Sequence, residues 1–168
     1  TATDVFTLIV MLRLLLQLAK ADFYNPLSQF LVKITNPVLV PMRRFIPSMG
    51  KLDTSAVVLA YALTVVKMLL MLAIVGQSAN VFGVLIIALR DLLNGVIWVY
   101  IIALILMAVI SWIGSANGNP VVPLINSLTA PLLAPIRRVM PPVGMLDLSP
   151  MVAMLGLYIL QIILSGLF

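Results

Sequence analysis

Long apolar runs alternate along the chain with shorter segments in which prolines and basic residues recur. A helix needs about 20 apolar residues to cross the hydrocarbon core of a bilayer. Four runs come close to that length, namely residues 5–19, 56–75, 95–113 and 151–168. The pattern therefore predicts an all-α membrane protein with four transmembrane helices. Because the first run is short, we expect further residues upstream of Thr1, with the first helix retained as an anchor.

The two proline-rich segments are copies of each other at a constant shift of 94 residues (119 − 25 = 94). The first copy, from Asn25, reads NPLSQFLVKITNPVLVPMRRFIPSMGKLDTS, and the second, from Asn119, reads NPVVPLINSLTAPLLAPIRRVMPPVGMLDLS. Such duplication indicates two units of one architecture, each a helix, an amphipathic segment and a second helix. The predicted units are a first repeat over 1–76, a connecting short helix over 77–94 and a second repeat over 95–168.

Prolines divide each amphipathic segment. Asn25 is suited to cap a helix that has Pro26 in its first turn, and Asn36 with Pro37 is suited to start another, because proline is tolerated at a helix start. We therefore predict a break near Asn36 and two pieces of about 15 Å, too short to cross the bilayer. We expect the pieces to lie flat at the membrane surface, although a re-entrant hairpin stays open for the less polar second copy.

Each amphipathic segment ends in an arginine pair followed by a corner. Ser149 before Pro150 is typical of a helix N-cap, and Ser55 occupies the same place in the first copy. Asp53 and Asp147 precede these serines by two residues, where a carboxylate meets the helix dipole or the nearby guanidinium groups. We interpret the shared residues as a rigid structural corner. They are Pro37, Pro41, Pro47, Gly50, Asp53 and Ser55, with Pro131, Pro135, Pro141, Gly144, Asp147 and Ser149.

The linker between the repeats decides their relative direction. Its apolar stretch, 81–89, is too short to cross and is followed by Arg90 and Asp91, so we predict a short helix that leads into the third span. The repeats then run in the same direction about a pseudo-two-fold axis along the membrane normal, whereas a crossing by 81–93 would invert them. By the positive-inside rule both repeated loops are cytoplasmic. The basic residues on that side are Lys20, Lys33, Arg43, Arg44, Lys51, Arg137 and Arg138.

Composition narrows the chemistry. The chain is 63% hydrophobic and 9% charged, with a mean hydropathy of +1.23, and it contains no Cys and no His. All five of its acidic residues are aspartates. Because Cys and His are absent, thiolate nucleophiles, imidazole bases and the usual zinc ligand sets are excluded. We predict no catalytic residue, no cofactor and no metal. A lipid-directed enzyme with Asp53 or Asp147 as base is the remaining enzymatic interpretation.

The basic residues fall into two groups. Arg43, Arg44, Arg137 and Arg138 form pairs beside membrane helices, which favours anionic headgroups over nucleic acid as a partner. These pairs act either as a phosphate site or as topological anchors.

Arg13 and Lys67 lie inside apolar runs, where we expect no carboxylate partner. Arg13 is near enough to the end of its run to extend to the headgroups. Lys67 is deeper and corresponds to Gln161 in the second repeat. Its side chain either forms part of a polar functional site or extends to the headgroups. In an ion path, a lysine would disfavour cations.

The doubled motif, with Asn25-Pro26, the Pro-x-x-x-Pro-x-Arg-Arg run, Asp53 and Ser55 in order, resembles the YggT family, also called YlmG, of the tandem proteobacterial type. The resemblance covers nearly the whole chain. It implies a multi-pass bacterial inner-membrane protein without established enzymatic activity, in a family linked to osmotic tolerance, potassium homeostasis and cytochrome assembly. We therefore expect a non-enzymatic scaffold or assembly factor that contacts anionic lipid, another membrane protein or a second copy of itself. An osmoadaptive transport or channel protein is the alternative.

Overall fold

Helices make up nearly all of the described structure. The computed structural model describes residues 2–78, 80–113, 118–140 and 147–167, and within the fourth helix the side chains up to residue 110. In the described part of the chain the only β-type pairing is an isolated bridge between Met49 and Leu52. The helices are α1 (Ala2–Leu18), α2 (Pro26–Met42), α3 (Thr54–Val75), α4 (Val81–Ile113), α5 (Val121–Val139) and α6 (Ser149–Leu167).

The number of helices able to span a bilayer is three rather than four in the described residues. They are Thr54–Val75, Val81–Ile110 and Ser149–Leu167. The prediction of four is wrong because α1 has 17 residues, which gives a length of only about 25 Å against a hydrocarbon core of about 30 Å. The three long helices expose many apolar side chains, such as Ile74 and Ile162, as expected for helices surrounded by lipid.

Proline does not break the amphipathic segments. α2 continues through Pro37 and Pro41, and α5 continues through Pro131 and Pro135. The predicted break at Asn36 is therefore wrong. In each helix the two prolines are four residues apart and lie on one face, so the missing N–H groups weaken one side while the other bonds hold the helix.

The linker between the repeats is part of one long helix. α3 ends at Gly76, whose φ of 71° is left-handed and suits glycine, and α4 begins at Val81 after a short connection. Its 33 residues correspond to about 50 Å. The predicted short helix and third span are thus a single element, with Arg90 and Asp91 inside it. At Gly95 the absence of a side chain leaves room for Met11 of α1.

The two halves of the chain pack in the same way. α1 contacts α2 and α3, α4 contacts α5 and α6, and α3 packs on α4 between them. Adding 94 to the bounds of α2 gives 120–136 against Val121–Val139 for α5, and adding it to those of α3 gives 148–169 against Ser149–Leu167 for α6. The main core joins both halves. Its buried members include Val10, Leu16, Leu39, Ala60, Val99, Leu124 and Leu128.

Candidate functional site

The first corner is closed by an ion pair between Arg43 and Asp53. Arg43 caps the C-terminus of α2, and Asp53 caps the N-terminus of α3 by accepting a bond from the Ala56 amide at 3.4 Å. The Asp53 residue is fully buried. One carboxylate therefore satisfies a helix end and a guanidinium together, which fixes the angle between α2 and α3.

Ser55 has a different role from the one predicted. It lies inside α3, and its hydroxyl donates to the Ile46 carbonyl at 2.7 Å. Thr54 donates in the same way to the Pro47 carbonyl at 2.7 Å. The N-cap is Asp53, so the prediction of Ser55 as the cap is wrong. Gly50 has a φ of +63°, which allows the tight turn between Pro47 and the helix.

The second corner repeats the ion pair in a more exposed setting. Arg137 donates to Asp147 Oδ2 from Nη2 at 2.7 Å and from Nε at 3.0 Å. Ser149 is the first residue of α6, and its amide donates to Asp147 Oδ1 at 2.9 Å. The prediction of Ser149 as the cap is therefore also wrong, since Asp147 accepts in its place. Pro141 and Gly144 lie outside the described residues.

The environment of Asp147 favours its ionised form. Partial burial by itself raises the pKa, but bonds from the Ser149 hydroxyl and amide and from Arg137 outweigh it and lower the pKa below its ordinary value.

The two arginines of each pair have different partners. Arg43, which is partly buried, and Arg137, which is exposed, form the corner ion pairs, whereas Arg44 and Arg138 are exposed and lie outside those pairs. No hydrogen bond or ion pair joins the guanidinium of Arg44 or Arg138 to another residue within the described ranges. Each corner therefore presents one arginine that is available to an external partner.

Arg13 is buried and does not extend to the headgroups as predicted. It is 8% exposed, and its Nη1 donates to Thr35 Oγ1, which in turn donates to the Leu31 carbonyl at 2.7 Å. The positions equivalent to Arg13 and Thr35 are Met107 and Thr129, and these also meet, with 3.5 Å between Met107 Sδ and Thr129 Oγ1. The shared threonine was a signal in the sequence that the prediction did not use.

Lys67 has two carboxylate partners, contrary to the prediction. Its Nζ lies 2.9 Å from Asp4 Oδ1 and 2.9 Å from Asp91 Oδ2. The three groups line a cleft of about 450 Å³ that also includes Asn94 and Gln161. Asp4 and Asp91 lie outside the corners and on other helices, so no local pattern indicated them. Lys67 therefore lies between two carboxylates in this cleft.

Helices α2 and α5 begin beside each other. Asn25 Nδ2 donates to the Pro120 carbonyl at 2.7 Å, while Asn25 Oδ1 accepts from the Leu27 amide at 2.9 Å. Asn119 similarly accepts from the Val121 amide at 2.9 Å.

In the described ranges, no three Asp side chains come together as a metal-binding group. Apolar helices long enough to span a bilayer and polar groups gathered at corners and inside the bundle define an all-α membrane protein.

Comparison with known proteins gives the family. The CCB3/YggT family model matches residues 1–74 and 86–168. The chain belongs to the CCB3/YggT family. It is 37% identical to the uncharacterized protein YggT of Escherichia coli K12, over 96% of this chain and 84% of the relative. It is 40% identical to an uncharacterized protein in the proC 3′ region of Vibrio alginolyticus, over 94% of this chain and 85% of the relative. It is also 40% identical to the uncharacterized protein PA0392 of Pseudomonas aeruginosa, over 97% and 84%. No solved structure is significantly similar to the chain.

Proposed function

We propose that this protein is a non-enzymatic scaffold or assembly factor of the bacterial inner membrane. In this proposal its two corners face the cytoplasm, where Arg44 and Arg138 contact anionic headgroups or a partner membrane protein. One observation supports the proposal most directly. In each arginine pair, one guanidinium forms the ion pair of the corner, and the other is exposed and has no hydrogen-bond partner among the described residues. Juxtamembrane arginines attract anionic lipid by about 1 kcal/mol each.

The proposal requires two halves that run in the same direction, related by a pseudo-two-fold axis along the membrane normal. Three observations support this arrangement. The starts of α2 and α5 are joined by the bond from Asn25 to Pro120. Residues 81–93 belong to the same helix as the following apolar run, so they do not make a separate crossing that inverts the second half. The family model matches two segments, one in each half.

A surface location of α2 is also part of the proposal. The helix packs Thr35 and Leu39 against the bundle and leaves Phe30 and Val40 exposed. Lys33 is exposed as well. Apolar and basic side chains that point outward together favour the boundary between headgroups and acyl chains.

A double variant tests the proposal. Arg44→Ala with Arg138→Ala removes both outer guanidinium groups and keeps both corner ion pairs. We expect binding to phosphatidylglycerol vesicles, or in-cell cross-linking to a membrane protein, to fall about tenfold or more. The control is Lys51→Ala, which removes an exposed cation that belongs to neither arginine pair. Equal retention by the double variant and this control, with correct insertion, rejects the proposal.

The cleft at Lys67 favours a second candidate function, namely ion transport in osmoadaptation. Its carboxylate and ammonium groups, together with Asn94 and Gln161, form a polar lining that suits a cation or proton path. Purified protein in liposomes tests this role. Cation flux that disappears in Lys67→Met and persists in the exposed-site control Lys51→Met supports it, and absence of flux in the native protein rejects it.

A further inference from the structure

A pocket of about 350 Å³, lined by both apolar and polar residues, lies between α1 and α2 in the first half of the bundle. Its polar lining consists of Arg13, Gln17, Ser28 and Arg43. All four carry N–H or O–H donors, and none is acidic. A lining with this chemistry suits an anion with several acceptor oxygens.

The charges near the pocket do not balance. Arg13 is almost fully buried, and the nearby charged groups that act on it are Arg43 and Asp53. Two guanidinium groups thus share one carboxylate, which leaves one positive charge uncompensated. Arg43 uses Nη2 for Asp53, and its buried Nε has no hydrogen-bond partner in the described structure.

The pocket lies near the C-terminal end of α1. Arg13 is five residues before the end of α1 at Leu18, a rise of about 7.5 Å. The lining continues to Ala21 and Phe23 in the link between α1 and α2.

An apolar groove adjoins the pocket. It has a volume of about 340 Å³, lies between α1, α2, α4 and α5, and shares Leu16 and Leu31 with the pocket. Its remaining lining, including Leu12, Phe30 and Leu106, is entirely apolar. A ligand that follows both sites has an anionic head and a hydrocarbon tail.

We propose that the first half binds one anionic phospholipid, with its phosphate between Arg13 and Arg43 and an acyl chain in the adjoining groove. Ser28 and Gln17 donate to the remaining phosphate oxygens. Guanidinium groups bind phosphate through two parallel hydrogen bonds, and Arg13 and Arg43 bring two such groups to the pocket.

The second half lacks the equivalent site. At the positions that correspond to Arg13 and Ser28 it has Met107 and Val122. Arg137 corresponds to Arg43, but the second half has Met107 in place of Arg13, so the second guanidinium of the pocket is missing there. The proposal therefore predicts one bound lipid per chain rather than two.

The second half also supplies the test variants. Arg13→Met and Ser28→Val introduce residues that the same fold accepts in the other half. Lys51→Met is the matched control, because it exchanges an exposed cation for the residue at the equivalent position, Met145. Native mass spectrometry of the detergent-purified protein with added phosphatidylglycerol counts the bound lipid.

We expect one retained phosphatidylglycerol in the native protein and in Lys51→Met. Arg13→Met should bind it about tenfold or more weakly, and Ser28→Val several-fold more weakly. Native-like binding by both variants overturns the proposal. Displacement of the lipid by an equal concentration of inorganic phosphate also overturns it, since the source is then a free anion.

This site does not require Arg44 or Arg138. The double variant Arg44→Ala with Arg138→Ala should therefore still retain one lipid, whether or not the proposed function is correct. The lipid count thus tests this site separately from the proposed function.

Discussion

Asn25 of the first half donates a hydrogen bond to the backbone carbonyl of Pro120 in the second half across 2.7 Å. Pro120 follows Asn119, which is the counterpart of Asn25 in the duplicated sequence. The two amphipathic helices therefore begin side by side at the same level of the bundle.

Asn25→Asp isolates this bond. The substitution keeps an oxygen that can cap α2 but removes the Nδ2 donor and places a carboxylate against the Pro120 carbonyl. Because Asn25 is buried, we expect a loss of about 1–3 kcal/mol in the free energy of unfolding. Asn119→Asp is the control, since its exposed side chain caps α5 without a bond to the first half. Thermal unfolding in detergent compares the two, and equal losses contradict the role of the junction.

The two corner ion pairs should differ in energy. Asp53 is buried, so Asp53→Asn leaves Arg43 without its counter-charge and should destabilise the protein by about 3 kcal/mol. Asp147 is 37% exposed, and Asp147→Asn should cost at most about 1 kcal/mol because solvent screens the pair. Equal unfolding free energies for the two variants would show that burial does not distinguish the corners.

The second corner should respond to acid. The pKa of Asp147 is lowered from its ordinary value of 3.8, so its contribution to stability is fully present above that value. It is lost as the pH falls through the lower pKa of the folded state. The difference in unfolding free energy between the native protein and Asp147→Asn should therefore be constant from pH 5 to 7 and shrink below about pH 4. A difference that grows on acidification would contradict this environment.

Lys67 should be energetically coupled to Asp91. A double-mutant cycle with Lys67→Met, Asp91→Asn and the combined variant measures this coupling by thermal unfolding. We expect a coupling of about 0.5–1 kcal/mol, because either single change removes the same contact between Lys67 and Asp91 and the combined variant loses that contact only once. Additive effects of the two substitutions would mean that the contact at 2.9 Å contributes nothing to stability.

The sequence predicted much of the helical framework through its duplication. The second helices of the halves and the placement of Asp53 and Asp147 beside the arginine pairs follow from the repeated motif, although the predicted caps Ser55 and Ser149 are wrong. Family membership was also predicted from the motif and is confirmed. The continuity of α2 through Pro37 was missed, since the rule that proline starts helices describes a tendency that packing overrides.

The polar groups inside the bundle were the hardest to predict. Lys67 is 63 residues from Asp4 and 24 from Asp91, so only the packing of α3 with α1 and α4 brings the charges together. Arg13 similarly bonds to Thr35 across a helix pair. Local periodicity carries no information on such partners, whereas comparison of equivalent positions at the shift of 94 identifies Thr35 and Thr129 as a shared polar pair.

Cysteine accessibility tests the central claim, that the two halves run in the same direction with both corners on the cytoplasmic side. The chain contains no Cys, so Arg44→Cys and Arg138→Cys each introduce a single reactive thiol at an exposed corner. A membrane-impermeant maleimide should label both variants in inverted inner-membrane vesicles and neither in intact spheroplasts. Labelling of the two positions from opposite sides of the membrane would contradict the account.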